Sequence, residues 1–240
     1  MISIVQNFIC TKPARLEVVL RNTKKLGKTF SDCDFYINYN SDNDYFEPIK
    51  NSYLENIDNI NFYNNLERDW AAVTLSILNE VDTEFTMYIC EDMEINCSES
   101  LIHSTLNEFF DEKMDYMFLS KIGKYIEKEY IDGFTPHNNI SSPGYKPMEF
   151  GYHYLGKHAP HKRLSNDMMC RTDFFKETLE EFLVKGEQCT HDIPFRKRHL
   201  PNFYEGYYDF NNGMRRFPDL KCYIPSEVIF KEFDDVKDKD

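Results

Sequence analysis

Three carboxylates crowd into four positions at Glu91, Asp92 and Glu94, directly after an apolar run over residues 85–90. Carboxylates packed that densely repel one another unless a cation joins them. Hard oxygen ligands of this kind suit Mg²⁺ or Mn²⁺ and not Zn²⁺, and a cation held there would present an anionic ligand. The run before them is short, bounded by polar residues and rich in β-branched and aromatic side chains, so it reads as a buried strand. Ligands in an open α/β sheet collect beyond the carboxyl ends of strands, where this run stops. The same residues also read as a solvated acidic turn, and the local sequence leaves both readings open.

Other residues capable of chemistry are scattered. Of seven His, His153, His158 and His161 fall in an extended stretch without the i, i+4 spacing of a helical metal pair, and His191 and His199 flank Arg196-Lys197-Arg198. Residues 157–163, Lys-His-Ala-Pro-His-Lys-Arg, are a basic island that reads as a phosphate site or as a solvated loop. None of the seven Cys has Cys-x-x-Cys spacing, and several lie in strand-like runs. That pattern argues for reduced, buried thiols, no structural zinc and a cytoplasmic protein. The N-terminus lacks a signal-peptide pattern, and no apolar run approaches the roughly 20 residues of a membrane span.

These groups need a scaffold, and 240 residues with 41% hydrophobic and 29% charged suffice for one large α/β domain or two small ones. A net charge of −13 disfavours nucleic acid and anionic membrane partners. Residues 2–10 read as a first strand, broken by Thr11-Lys12-Pro13. Leu16, Val19, Leu20 and Thr23 follow with helical spacing, and Gly27 is the expected stop. Residues 33–39 read as a second strand ending in the polar turn 40–44, and 59–63 as a third. Asp69 is placed to cap a helix carrying Trp70, Val73, Ile77 and Val81, which leads into the strand before the carboxylates. Ser98 then caps a helix with Leu101, Ile102, Thr105, Leu106 and Phe109, and 115–122 read as another strand.

Strand and helix thus alternate about four times through residue 122, which argues for a largely parallel sheet. No Gly-x-Gly-x-x-Gly and no Gly-Lys-Ser/Thr loop occurs, so dinucleotide and P-loop fingerprints are absent. Residues 133–150 read as a long loop, 150–155 as a strand, and Thr172 as the cap of a helix with Phe175, Leu179, Phe182 and Leu183. A short helix is expected at 191–199. Residues 203–217, with Tyr204, Tyr207, Tyr208 and Phe210, suit an irregular surface able to stack on sugars. Residues 220–224 read as a late strand and 231–240 as a charged, disordered tail.

This order of parts resembles a GT-A glycosyltransferase of the family 2 type. The resemblance rests on the first strand, the Thr-Lys-Pro turn, the polar end of the second strand, the Trp70 helix and the strand running into Glu91-Asp92. It implies a mixed, mostly parallel GT-A sheet flanked by helices in a single domain. Residues 1–122 would form its nucleotide-sugar half and 123–230 its acceptor half. The family's Asp-x-Asp motif stands here as Glu91-Asp92-Met93-Glu94. The resemblance implies Mn²⁺ or Mg²⁺ on Asp92, with Glu94 and His191 as further ligands. It puts donor contacts on Thr11, Lys12, Arg15, Asn40, Asp42, Arg68, Glu91 and Arg171, and the general base on Asp192. The donor would be a UDP-, GDP- or TDP-sugar, and the acceptor a carbohydrate or glycoconjugate. A nucleotidyltransferase is one alternative, although residues 6–15 lack the glycines such an enzyme needs after its first strand. A non-catalytic sugar- or nucleotide-binding relative is another, favoured by the altered acidic motif and by His191 where the family has Glu.

Overall fold

The structure is a computed structural model describing residues 2–67, 69–91, 93–95, 97–111, 116–119, 135–136, 145–149, 168–184, 221–225 and 230–232. The expected strand at 150–155, the basic island 157–163, the helix at 191–199 and the aromatic segment 203–217 lie outside these residues, as do Arg68, Asp92, His191 and Asp192.

Alternation appears from the first residues described. β1 (Ile2–Phe8), α1 (Pro13–Thr29), β2 (Asp34–Tyr39), α2 (Phe46–Asn56), β3 (Ile60–Tyr63), α3 (Trp70–Leu78) and β4 (Phe85–Tyr88) follow in turn. Then come β5 (Met93–Ile95), α4 (Glu99–Asp111), β6 (Tyr116–Phe118), β7 (Thr135–Pro136) and β8 (Tyr145–Glu149). The chain closes with β9 (Met168–Arg171), α5 (Thr172–Val184), β10 (Lys221–Pro225) and β11 (Phe230–Glu232). Nine strands make one sheet in the order β3-β2-β1-β4-β9-β6-β10-β8-β7, and β11 pairs with β5 apart from it. The block β3-β2-β1-β4 is parallel throughout. β9 enters antiparallel between β4 and β6, and β6 pairs parallel with β10. Strands from both expected halves therefore share one sheet.

Period-two patterning sorts the side chains onto two faces. Ile4, Phe8, Phe35, Ile37, Met87, Ile89 and Met169 face one way and pack with Val19, Leu26, Ile49, Tyr53, Ile102 and Phe109 of α1, α2 and α4. Burying each large apolar side chain here contributes about 1.5–3 kcal/mol before entropy is counted. The opposite face carries Asn7, Asn38, Thr86 and Tyr88 beneath α3 and α5. Tyr88 meets Trp70 edge-on at 5.6 Å and Phe175 at 6.0 Å. Asp69 caps α3 as expected, accepting from the amides of Ala71 at 3.0 Å and Ala72 at 3.1 Å.

Four expectations are revised. α2 falls where no helix was assigned; its signal is Phe46, Ile49, Tyr53 and Ile57 at helical spacing, masked by the polar turn before it and by Pro48, which the first turn tolerates. The expected loop 133–150 contains β7 and β8, paired to each other, with β8 paired to β10. The expected tail begins inside β11, whose Lys231 stands opposite Glu94 in the backbone register. Gly27 does not stop α1, which runs on to Thr29. Instead it lets α1 and α2 touch, since a Cβ there would lie 1.9 Å from the Asn56 carbonyl oxygen.

That approach sets the sign of Gly27→Ala. Ala gains about 1 kcal/mol of helix propensity over Gly, but a contact this short forces backbone apart. The variant is expected to lose about 1–3 kcal/mol of unfolding free energy, read from the urea midpoint. An unchanged or raised midpoint contradicts the close approach.

Candidate functional site

β1 to β4 all point the same way, so their carboxyl ends line one edge of the sheet. β2 and β3 lie on one side of β1 and β4 on the other. The chain thus reverses its direction of winding between β1 and β4, which is where such sheets hold ligands. Cys10, Thr11, Lys12 and the first turn of α1 follow β1 there, and Ile89, Cys90 and Glu91 follow β4. Lys12 precedes α1 in extended conformation (φ −127°, ψ 141°), its side chain makes no capping bond, and Pro13 opens the helix. Arg15 bridges the two loops, its Nη1 2.9 Å from Glu91 Oε1. Only 14% of the Glu91 side chain is exposed, against 32% of Arg15.

That pair is the first of several along α1. Lys25 Nζ lies 2.5 Å from Glu94 Oε1 and Arg21 Nε 3.4 Å from the same oxygen, and Lys28 Nζ lies 2.7 Å from Glu99 Oε1. The Asn22 amide adds a bond of 2.6 Å to the Met93 carbonyl. The segment after β4 therefore runs alongside α1, each carboxylate meeting a cation one or more turns further on. Exposed pairs of this kind contribute little to stability, so their main effect is alignment. They also answer whether the acidic group fits a divalent ion. Glu94 gives its Oε1 to Lys25 and Arg21 and would meet a divalent ion only by sharing its carboxylate with them. Glu91 fits only by sharing its carboxylate with Arg15. Among the described residues no group of three His, Cys, Asp or Glu side chains is placed to hold a metal.

Uncharged side chains shape the other end of the edge. Tyr39 Oη and Asn43 Nδ2 both donate to the Cys10 carbonyl, at 3.1 and 2.8 Å. Asn64 Nδ2 donates to the carbonyls of Tyr39 and Ser41, at 2.7 and 2.8 Å. Asn38 Nδ2 donates to the Asn65 carbonyl at 3.2 Å while its Oδ1 accepts from the Asn65 amide at 2.8 Å, and Asn40 Nδ2 donates to the Glu67 carbonyl. Beneath them Asn7 donates to Thr74 Oγ1 at 3.0 Å and accepts from Asn38 at 3.0 Å. The loops after β1, β2 and β3 thus hold one another by their main-chain carbonyls.

Cys10, though adjacent, is not poised as a nucleophile. Burial pushes its thiol up to about 11, with the Lys12 backbone and the Arg15 charge opposing that and the Glu91 carboxylate adding to it. Burial, aided by Asp32 and Asp34, likewise raises Cys33 to about 11.

Of the expected site residues, Thr11, Lys12, Arg15 and Glu91 lie in the two loops at the switch point, and Arg15 and Glu91 are in contact. Asn40 and the exposed Asp42 lie at the end of β2, on the same edge. Arg171 is not brought there. It stands opposite Phe85, at the start of β4, roughly 10 Å down the strand from Tyr88. Its guanidinium pairs with Asp173. The parallel reading of the first strands carried no hint that β9 runs the other way. Asn38, Asn43, Asn64 and Asn65 were missed because isolated asparagines read as turn formers.

No family model matches the sequence, and no curated protein matches it. Solved structures do match. The S. aureus TarS fragment 1–349 superposes with a TM-score of 0.53 at 10% identity, covering 95% of this chain and 59% of that one. The same fragment in complex with UDP-GlcNAc gives 0.52 at 11%, covering 100% and 61%. Bifunctional IspDF from Campylobacter jejuni gives 0.48 at 12%, covering 97% and 51%. This chain therefore has the GT-A-like α/β fold, a mixed sheet flanked by helices, and spans about three fifths of the TarS fragment it resembles. Among the described residues no helix is long and apolar enough to cross a membrane.

The raised thiols fix a pH response. Cys10 and Cys33 hold their protons more tightly folded than at the ordinary value of 9.0. Their contribution to stability is complete below pH 9 and is lost as pH rises toward 11. Unfolding free energy from urea melts is expected to fall across that window, and to fall less in Cys10→Ala/Cys33→Ala. An identical decline in the double variant contradicts the assignment.

Proposed function

We propose that this chain is a family 2-type glycosyltransferase that moves a sugar from a nucleotide-diphospho-sugar to a carbohydrate-type acceptor. The observation that carries the reading is the Arg15–Glu91 pair, set at the switch point of a GT-A-like sheet beside the uncapped start of α1. Helix N-termini attract anions through their free amides and dipole, and Lys12 and Arg15 add charge for a diphosphate. Asn40, Asp42 and Thr11 would meet the nucleoside, with Arg68 near either group. Asp92 and Glu91, with His191, would hold Mn²⁺ or Mg²⁺, which when bound neutralises charge on the diphosphate. Asp192 would take the acceptor proton. The acceptor oxygen then bonds to the anomeric carbon as its bond to the diphosphate oxygen breaks, inverting that carbon. The unbridged thiols of Cys10, Cys33 and Cys170 support a cytoplasmic setting.

A second reading, a non-catalytic nucleotide-sugar-binding relative, is favoured by the engagement of Glu91 and Glu94 with cations of α1. Calorimetry with UDP-, GDP- and TDP-sugars, with and without Mn²⁺, tests both. Asp92→Asn is expected to weaken Mn²⁺-dependent binding at least about tenfold. Asp192→Asn is expected to leave binding intact and lower turnover about 10²–10⁴-fold. Folded protein that binds none of these donors overturns the proposal. Binding without transfer or hydrolysis in the unaltered chain selects the second reading.

A further inference from the structure

We propose that Gln6 and Asn22 are positioning residues for the turn that carries Glu91, holding the main-chain carbonyls on either side of it with two buried side-chain amides. The proposal rests on the reading that a cation and a diphosphate bind at this turn.

Gln6 is out of keeping with its place in β1. It lies between Ile4 and Phe8 on the apolar face of the sheet, where period-two alternation calls for an apolar side chain, and it is 1% exposed. The register of β4 on β1 ends at Val5 and Tyr88. One residue further on, the Ile89 carbonyl accepts from Gln6 Nε2 at 3.2 Å, and Gln6 Oε1 accepts from Tyr53 Oη of α2 at 2.6 Å. A carbonyl can only accept, so Ile89 fixes which end of the amide faces it.

Asn22 of α1 holds the far side of the turn. It is 4% exposed, and its Nδ2 donates to the Met93 carbonyl of β5 at 2.6 Å. Its Oδ1 has no partner among the described residues. Burying an amide is unfavourable unless it is bonded, so packing does not account for Asn here, whereas the bond to Met93 does. Between the two held carbonyls the sequence runs Cys90-Glu91-Asp92. The Met93 amide donates back to the Cys90 carbonyl at 3.3 Å and closes the turn.

Position and charge are thereby handled by different groups. The ion pairs of Arg15, Arg21 and Lys25 with Glu91 and Glu94 are partly exposed, weaken with salt and use carboxylate oxygens that a divalent cation needs. The two amides are neutral, shielded from water and bonded to main-chain carbonyls, so they occupy no carboxylate. When a cation or a diphosphate draws Glu91 or Arg15 from its partner, the turn keeps its place. Groups fixed in advance bind charge without reorganising at that moment.

The test measures binding of UDP, GDP and TDP with Mn²⁺ by calorimetry on the full chain, beside urea midpoints. Gln6→Met and Asn22→Ala are each expected to weaken the tightest nucleoside diphosphate about tenfold. Tyr53→Phe, which leaves the Gln6 amide present but unsupported, is expected to weaken it less. Amide exchange at Cys90 and Glu91 is expected to speed in Gln6→Met. Ile77→Ala, a core variant of α3, is expected to lower the urea midpoint and leave affinity within about twofold. In a Glu91→Gln background, Gln6→Met is expected to cost about threefold or less, because it acts through the placing of that turn. Affinity that falls in step with the midpoint, in Ile77→Ala as in the amide variants, marks a merely structural role and overturns the proposal. So does an equal loss in both backgrounds. If Gln6→Met does not fold, Asn22→Ala and Tyr53→Phe decide. Unaltered protein that binds no nucleoside diphosphate overturns the glycosyltransferase reading together with this one, whereas binding that the amide variants leave unmoved overturns this one only.

Discussion

Asn7 sends hydrogen bonds into three elements from one position near the end of β1. Its amide nitrogen reaches Thr74 Oγ1 at 3.0 Å and the Trp70 carbonyl at 3.3 Å in α3, and its Oδ1 accepts from Asn38 in β2. Its carbonyl accepts from Tyr88 Oη in β4 at 3.1 Å, and Tyr88 in turn accepts from Trp70 Nε1 at 2.9 Å. Buried polar groups must be paired or forfeit about 1–3 kcal/mol each. That requirement fixes β1, β2, β4 and the start of α3 relative to one another more narrowly than apolar packing alone does. The apolar face under α1, α2 and α4 supplies stability, and the polar face under α3 supplies register. The loops that rise from it inherit that register.

α1 does the corresponding work for charge. The chain carries a net −13, and the stretch after β4 concentrates acid where the sheet ends. Arg15, Arg21, Lys25 and Lys28 meet those carboxylates in chain order, so the acidic segment is laid out along the helix instead of bunching at its start. Spacing in sequence suggests a cluster; of its described members, Glu91 and Glu94 meet cations at separate points along α1. Among the described residues, Arg15 and Glu91 are the oppositely charged pair that joins the loops at the switch point.

Legibility in the sequence followed the physics of periodicity. β1 and β4 could be read because each is an apolar run of strand length ended by polar residues, and α3 because Trp70, Val73 and Ile77 repeat at helical spacing behind a capping Asp69. β9 was illegible as a strand: its run Met168-Met169-Cys170 is too short, and too poor in β-branched and aromatic residues, to mark one. Its direction depends on partners from residues 85–88 and 116–118, information no local window holds. Gly27 was readable as a helix stop by its residue type, and only the approach of α2 reveals its use. In the site, Lys12, Arg15 and Glu91 were legible because charge beside a strand end is unusual. The asparagine clamps were not, because an amide that bonds a loop 27 residues away resembles any turn residue.

The placement of β9 has a bearing on how the chain is made. The strands on either side of it, β4 and β6, are complete by residue 118, some fifty positions before their shared neighbour begins. Until it arrives, both present unpaired backbone edges, and such edges invite pairing with other chains. Synthesis proceeds from the N-terminus at about 5–20 residues per second, so the gap lasts for seconds on the ribosome. During that interval β3-β2-β1-β4 must stand as a four-stranded parallel sheet with the outer edge of β4 unpaired. The order of emergence thus makes the middle of the finished sheet the last part of its first four-strand neighbourhood to be sealed, and makes that seam the natural place for chaperone contact or for misassembly.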